Sequence, residues 1–275
     1  MLRLDDLHPQ MSGNKVFKLL PNLVAAKASG ARGILTFGGA FSNHIHATAA
    51  AGQVFGVSTV GVVRADPEAS TNPTLANAKA WGMQLHFVDR AEYRRRYDSD
   101  YWRELRHLYP EYSIVPEGGS NELALQGCAQ LGRHIAELAW RDIVVACGTG
   151  TTAEGLALGV SPQQKVHAVA VLPGLKQEKD RLEAAGAEFW GDDVGAGYAV
   201  VTPALADFIR RFEALNSVQL DPVYTAKMAL ATSRAIASGR LDAEQTLLLH
   251  SGGLQGRRSL QAQLDAHWCD NPACT

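Results

Sequence analysis

The chain has 275 residues, 46% of them hydrophobic and 20% charged, with a formal charge of −2. That length can bury a substantial core in one large α/β domain or two, and the near-neutral charge excludes a polyanion-seeking surface, so no nucleic-acid partner is expected. The opening residues MLRLDDLHPQ carry acids where a signal peptide has its apolar core, and no apolar run reaches membrane-spanning length; a cytoplasmic protein with no membrane partner is expected. The four cysteines, Cys128, Cys147, Cys269 and Cys274, show no metal-ligand spacing and read as free thiols in a reducing compartment, with no metal site.

The first chemical element is Met11-Ser12-Gly13-Asn14-Lys15-Val16-Phe17-Lys18, a Gly-Asn loop running into a helix predicted over 17–29, with Lys15 at its beginning. An apolar strand at 33–38 follows and ends in Gly38-Gly39-Ala40-Phe41-Ser42-Asn43-His44, which leads into an Ala-rich helix over 44–55. Strands are predicted at 58–63 and 84–88 around a helix at 74–81, then a helix at 124–139 and a strand at 142–147. The run Cys147-Gly148-Thr149-Gly150-Thr151-Thr152 leaves that strand, and a strand at 166–172 and a helix at 176–185 come after it. The tail from 268 to 275 contains Asn-Pro and reads as poorly structured. Strand and helix alternate throughout, which predicts open parallel α/β sheets with ligands at the carboxyl ends of their strands.

Each junction has a chemical and a plainer reading. At 38–44 an anion-binding turn competes with a simple helix cap made by Ser42 or Asn43. At 147–152 glycines and threonine hydroxyls open a helix after a buried strand, which suits a phosphate dianion. The run lacks the Lys-Ser/Thr of a Walker loop and is no GxGxxG turn, so a monophosphate fits better than a nucleotide triphosphate. Lys15, at the positive end of a helix dipole, is disfavoured as a cation, and a neutral amine is what imine formation needs. Surface lysine is the plainer reading there.

Taken in order, Ser12-Gly13-Asn14-Lys15 with Lys18-Leu19, the segment from Gly38 to His44, the loop from Gly148 to Thr152, and Asp221-Pro222-Val223-Tyr224 resemble the 1-aminocyclopropane-1-carboxylate (ACC) deaminase and D-cysteine desulfhydrase family over nearly the whole chain. The resemblance implies the tryptophan synthase β-like, fold type II architecture with pyridoxal 5′-phosphate (PLP) between two open parallel-sheet domains. It divides the chain into a small α/β domain at 34–145, mainly 34–128, and a larger PLP-binding domain made of 1–33 and 129–275. It makes Lys15 the Schiff-base lysine and the shuttle of the α-proton. Asn43 falls at the cofactor's phenolic oxygen and Ser42 at the substrate carboxylate, with His44 beside them. Gly148, Thr149, Gly150, Thr151 and Thr152 fall at the phosphate, and Tyr198 and Tyr224 flank the substrate, though each tyrosine also reads as a buried aromatic with a satisfied hydroxyl. The partners implied are a small amino-acid substrate and a second copy of the chain in a homodimer.

Thr225 and Ser251 fall beside the pyridine nitrogen, where the resemblance gives ACC deaminases a glutamate and an apolar residue. A carboxylate keeps that nitrogen protonated and the electron sink strong, whereas hydroxyls bond a neutral ring and leave a weaker sink. Expelling a thiol from Cβ needs less help than opening a cyclopropane, so the hydroxyl pair implies D-cysteine desulfhydrase chemistry, a β-elimination giving pyruvate, ammonia and sulfide. ACC deamination, serine or threonine dehydration and racemisation are the alternatives within the class. The chain departs from the family pattern at Phe41, where a glutamine is usual, in the short segment before Ser12, and in a shortened stretch before Tyr198. Phe41 and the short segment before Ser12 keep open a non-catalytic PLP-binding protein, and the Gly-Thr loop taken alone a phosphate- or nucleotide-binding α/β module without PLP; the presence of Lys15 argues against both.

Overall fold

The computed structural model describes residues 1–191, 197 and 199–269, and the chain separates into two compact units, His8–Gly127, and Met1–Leu7 together with Cys128–Thr275. The strands are β1 (Leu2–Arg3), β2 (Gly33–Gly39), β3 (Ser58–Arg64), β4 (Gln84–Val88), β5 (Tyr112–Ile114), β6 (Asp142–Cys147), β7 (Lys165–Ala170), β8 (Glu188–Trp190) and β9 (Thr246–His250). The helices are α1 (Lys15–Ala28), α2 (Asn43–Phe55), α3 (Pro73–Ala80), α4 (Arg90–Arg94), α5 (Ser99–Leu108), α6 (Glu122–Ala136), α7 (Thr151–Gly159), α8 (Lys176–Ala184), α9 (Pro203–Asn216), α10 (Thr225–Ala237), α11 (Leu254–Arg257) and α12 (Gln261–Cys269).

In the His8–Gly127 unit a four-stranded sheet runs in the order β4-β3-β2-β5, every pair parallel. The central strand β2 is buried from Gly33 to Gly38, which is why its sequence is a continuous apolar run instead of an alternating one. One core cluster joins Leu19, Leu23 and Ala26 of α1 to Ile34 of β2 and to Ala47, Ala50 and Ala51 of α2. This packing explains a difference from the sequence-based division, which placed everything before residue 34 with the larger domain: α1, carrying Lys15, buries its apolar face within the smaller unit.

The other unit holds a five-stranded sheet in the order β1-β9-β6-β7-β8, again parallel throughout. Its core gathers Val144, Val169, Val171 and Trp190 with Leu205, Ile209, Leu220, Ala226 and Met228. The described part of the tail departs from expectation: Trp268 lies in α12, where its indole N–H donates to the Ala206 carbonyl at 3.0 Å, while 270–275 fall outside the described residues. Among the described residues no helix is long and apolar enough to cross a membrane.

Candidate active site

Three segments of the His8–Gly127 unit carry chemical groups. Ser42 settles the capping alternative at the end of β2: its Oγ accepts the N–H groups of His44 and Ile45, both at 3.2 Å. The turn closes this tightly because position 38 is glycine, where a Cβ would stand 2.6 Å from Ser42 Oγ. The cap uses the lone pairs of the hydroxyl and leaves its hydrogen to donate elsewhere. Asn43 opens α2, and Phe41 just before the cap is 44% exposed. Lys15 is the first residue of α1, and its Nζ donates to Asn14 Oδ1 at 3.0 Å. Lys18 is buried one turn later and donates to the Gly118 carbonyl at 3.1 Å.

His44 is 2% exposed, and its tautomer can be read from its neighbours. The Thr36 hydroxyl gives its hydrogen to the Val115 carbonyl at 2.8 Å, so its oxygen must accept from His44 Nε2–H, also at 2.8 Å. His44 Nδ1 is then a buried acceptor with no partner among the described residues. Burial first, and then the charges of Lys15 and Lys18, hold the imidazole well below its ordinary pKa, so it is neutral.

In the other unit the carboxyl end of β6 opens into Gly148, Thr149 and Gly150, and α7 begins at Thr151. Gly150 takes φ 79°, a left-handed conformation that glycine adopts without strain. The start of a helix directs its first N–H groups at whatever stands beyond it. Sequence reading missed the brace on this loop: Arg181 of α8 donates from Nη2 to the Thr149 carbonyl at 3.0 Å and from Nη1 to Glu154 Oε2 at 2.8 Å. Tyr224 is brought beside the loop, its Cε1 lying 3.3 Å from where a Cβ on Gly148 would stand. Tyr198 lies outside the described residues; its neighbour Gly197 accepts Lys227 Nζ at 2.7 Å.

Asp221 organises the segment that carries Tyr224 and Thr225. Its Oδ1 accepts the N–H groups of Val223 and Tyr224 at 2.7 and 2.8 Å, while Oδ2 is buried with no partner among the described residues. Burial pushes its pKa up to about 7, although those two backbone bonds and the charges of Arg257 and Lys227 pull the other way. The sequence signal was available, since an Asp two and three residues before its backbone donors is an Asx-turn pattern. Thr225 is fully buried at the start of α10, and its Oγ1 accepts the Asp221 N–H at 2.8 Å. Ser251 is partly buried in the stretch that leaves β9.

The family model described as pyridoxal-phosphate dependent enzyme matches residues 1–252. The chain belongs to this family. PLP is therefore its cofactor, and α/β fold type II its architecture. A bifunctional D-cysteine desulfhydrase/1-aminocyclopropane-1-carboxylate deaminase of Arabidopsis thaliana is 29% identical, the match covering 90% of this chain and 70% of that protein. A D-cysteine desulfhydrase of Salmonella paratyphi B is 26% identical over 92% of this chain and 86% of its own length. The crystal structure of an ACC deaminase homologue superposes with a TM-score of 0.85 at 25% identity, covering 96% of this chain and 87% of that one.

The residues present fit the PLP-dependent family's cofactor. A glycine-opened helix start flanked by threonine hydroxyls, and held from behind by Arg181, suits a phosphate dianion. Lys15 offers a primary amine at a helix start. Thr225 and Ser251 offer hydroxyl donors and no negative charge.

Proposed function

We propose that the chain is a PLP-dependent lyase that eliminates the β-substituent of a small amino acid, with D-cysteine as the leading substrate and pyruvate, ammonia and sulfide as products. When bound, the cofactor supplies the electron sink for the pair released at Cα. Lys15 is assigned as the lysine that carries the cofactor and as the base whose Nζ takes the Cα proton. Loss of that proton and of the thiol from Cβ leaves an enamine that water hydrolyses to pyruvate and ammonia. Ser42, its lone pairs engaged by His44 and Ile45 N–H, is assigned to donate its hydroxyl hydrogen to the substrate carboxylate. Asn43 is assigned to the phenolic oxygen, the segment Gly148, Thr149, Gly150, Thr151 and Thr152 to the phosphate, and Tyr198 and Tyr224 to the flanks of the substrate, with His44 adding a neutral acceptor at Nδ1.

The observation that carries the choice of chemistry is the Thr225 hydroxyl. Its oxygen accepts the Asp221 N–H at 2.8 Å, while its contact as a donor to the Asp221 carbonyl is 3.4 Å long. Its hydrogen is therefore available to a neutral ring nitrogen, and a hydroxyl cannot hold a pyridinium as a carboxylate does. The proposed assembly is a cytoplasmic homodimer.

ACC deamination stands second, favoured by relatives named for it alone or beside desulfhydration. Steady-state assays separate the two. Wild type should release sulfide and pyruvate from D-cysteine and little 2-oxobutanoate from ACC, and the Thr225→Glu/Ser251→Leu double variant should shift the ratio toward ACC. Robust ACC turnover by wild type, or equal substrate ratios in the two proteins, would refute the electronic argument.

A further inference from the structure

His250 ends β9, immediately before Ser251, and its imidazole is wholly buried. Nε2 lies 2.9 Å from the Gln219 carbonyl, which can only accept, so Nε2 carries a hydrogen. Nδ1 lies 2.8 Å from Asp5 Oδ1. Burial, the largest influence, lowers the pKa of the imidazole although the charge of Asp5 pulls the other way, so the ring is neutral and Nδ1 is its acceptor, taking the Gly252 N–H at 3.4 Å. Asp5 is itself buried and held in a fork by Arg3, from Nε to Oδ1 at 2.8 Å and from Nη2 to Oδ2 at 2.5 Å. The pairing of β1 with β9 places Arg3 directly opposite His250.

One imidazole thus ties together two segments that carry the hydroxyls assigned to the ring nitrogen. Ser251 is its neighbour in the chain. Gln219, whose carbonyl it holds, leads into Leu220 and Asp221; the Leu220 carbonyl accepts Arg257 Nη1 at 2.8 Å, and the Asp221 N–H fixes Thr225 Oγ1. The two hydroxyls stand on separate elements and have to converge on one atom. Hydrogen bonds weaken steeply with distance and misalignment, and sites displaced by about an ångström lose most of their effect.

We propose that His250, clamped between Asp5 and the Gln219 carbonyl, is a positioning residue that sets the Thr225 and Ser251 hydroxyls at the spacing one pyridine nitrogen requires. This inference rests on the functional reading above. Asp5 acts through the imidazole: its carboxylate, forked by Arg3, stands 2.8 Å from Nδ1 and so fixes the ring plane. A side-chain amide of the same shape can hold the ring there, its N–H donating to Nδ1, and an alkyl group cannot.

The test uses holoenzyme loaded with PLP labelled with ¹⁵N in the ring, comparing wild type with Asp5→Asn, Asp5→Leu, His250→Gln and Ser251→Ala. The readouts are the ring-nitrogen resonance, the PLP dissociation constant and urea stability. Asp5→Asn should keep the wild-type resonance. Asp5→Leu and His250→Gln should move it in the same direction as Ser251→Ala, with PLP affinity falling about two- to tenfold, the loss of one hydrogen bond. Should Asp5→Leu fail to fold, His250→Gln and the rescue by Asp5→Asn still decide the matter. A resonance unchanged in His250→Gln beside lowered stability would make the histidine merely structural and overturn the proposal. A wild type that takes up no PLP, or a Ser251→Ala resonance that does not move, would instead overturn the functional reading beneath it.

Discussion

Replacing Asp221 by Asn should make the protein more stable at alkaline pH than at acid pH relative to wild type. The carboxyl is 1% exposed, and burial is the largest influence raising its pKa from 3.8 to about 7. The folded state therefore keeps the proton across a pH range in which the unfolded chain has lost it. The stability this contributes is complete below the unfolded pKa and disappears as pH rises through the folded one. At about 1.4 kcal/mol for each pH unit, the whole span amounts to about 4 kcal/mol, and the part between pH 5 and pH 8 to about 3 kcal/mol. Asparagine removes the charge while its carbonyl still accepts the Val223 and Tyr224 N–H groups. Its amide N–H, at the place of the unpartnered Oδ2, costs about 1–3 kcal/mol at every pH, so it cancels when the two pH values are subtracted. Urea unfolding of both proteins at pH 5 and pH 8 should show the Asn variant gaining about 3 kcal/mol on wild type between them. A difference that is the same at both pH values would mean Asp221 keeps the same protonation in both states, and the reasoning would fail.

Lys15→Ala should abolish the visible absorbance of bound PLP, and borohydride reduction of wild type followed by peptide mapping should place the adduct on Lys15; an adduct on Lys18 or Lys27 would refute the assignment. Thr149→Ala and Thr152→Ala should each cost about 1.5–3 kcal/mol of PLP affinity, a charge-assisted hydrogen bond apiece, and unchanged affinity in both would remove the loop from the site. Thr36→Val leaves His44 Nε2–H buried without its acceptor and should destabilise the protein by about 1–3 kcal/mol in urea. In that variant the ring should also lose the Nε2–H tautomer preference seen by histidine ¹⁵N NMR; an unaltered tautomer would mean the Thr36 contact does not set it.

Much of the architecture was legible because parallel strands buried on both faces read as unbroken apolar runs. The predicted strands at 33–38, 58–63, 84–88 and 142–147 coincide with β2, β3, β4 and β6 to within a residue. β1, β5 and β8 are two or three residues long and exist through pairing with a longer neighbour, so no local pattern announces them. Thr246–His250 carries the same apolar run as the other central strands and belongs with them. The site was legible as motifs but not as bonds. The spacing of Gly38, Ser42 and Asn43 shows a helix start, whereas the choice of Ser42 as cap depends on backbone angles at the turn. The role of Asp5 could not be read at all, because its partner stands at position 250 and only strand pairing brings them together.

The pairing of β1 with β9 also orders events in time. Leu2 stands opposite Leu249, so β1 is made long before the strand it pairs with. The His8–Gly127 unit has every strand of its own sheet in hand by residue 114 and can form while synthesis continues. The sheet containing β1 closes by contacts of very long sequence separation, the kind that form slowly. β1 must therefore wait without its partner until Thr246–His250 has been made, and a nascent chain stalled before residue 246 should leave Leu2 and Arg3 open to protease while the His8–Gly127 unit is already protected.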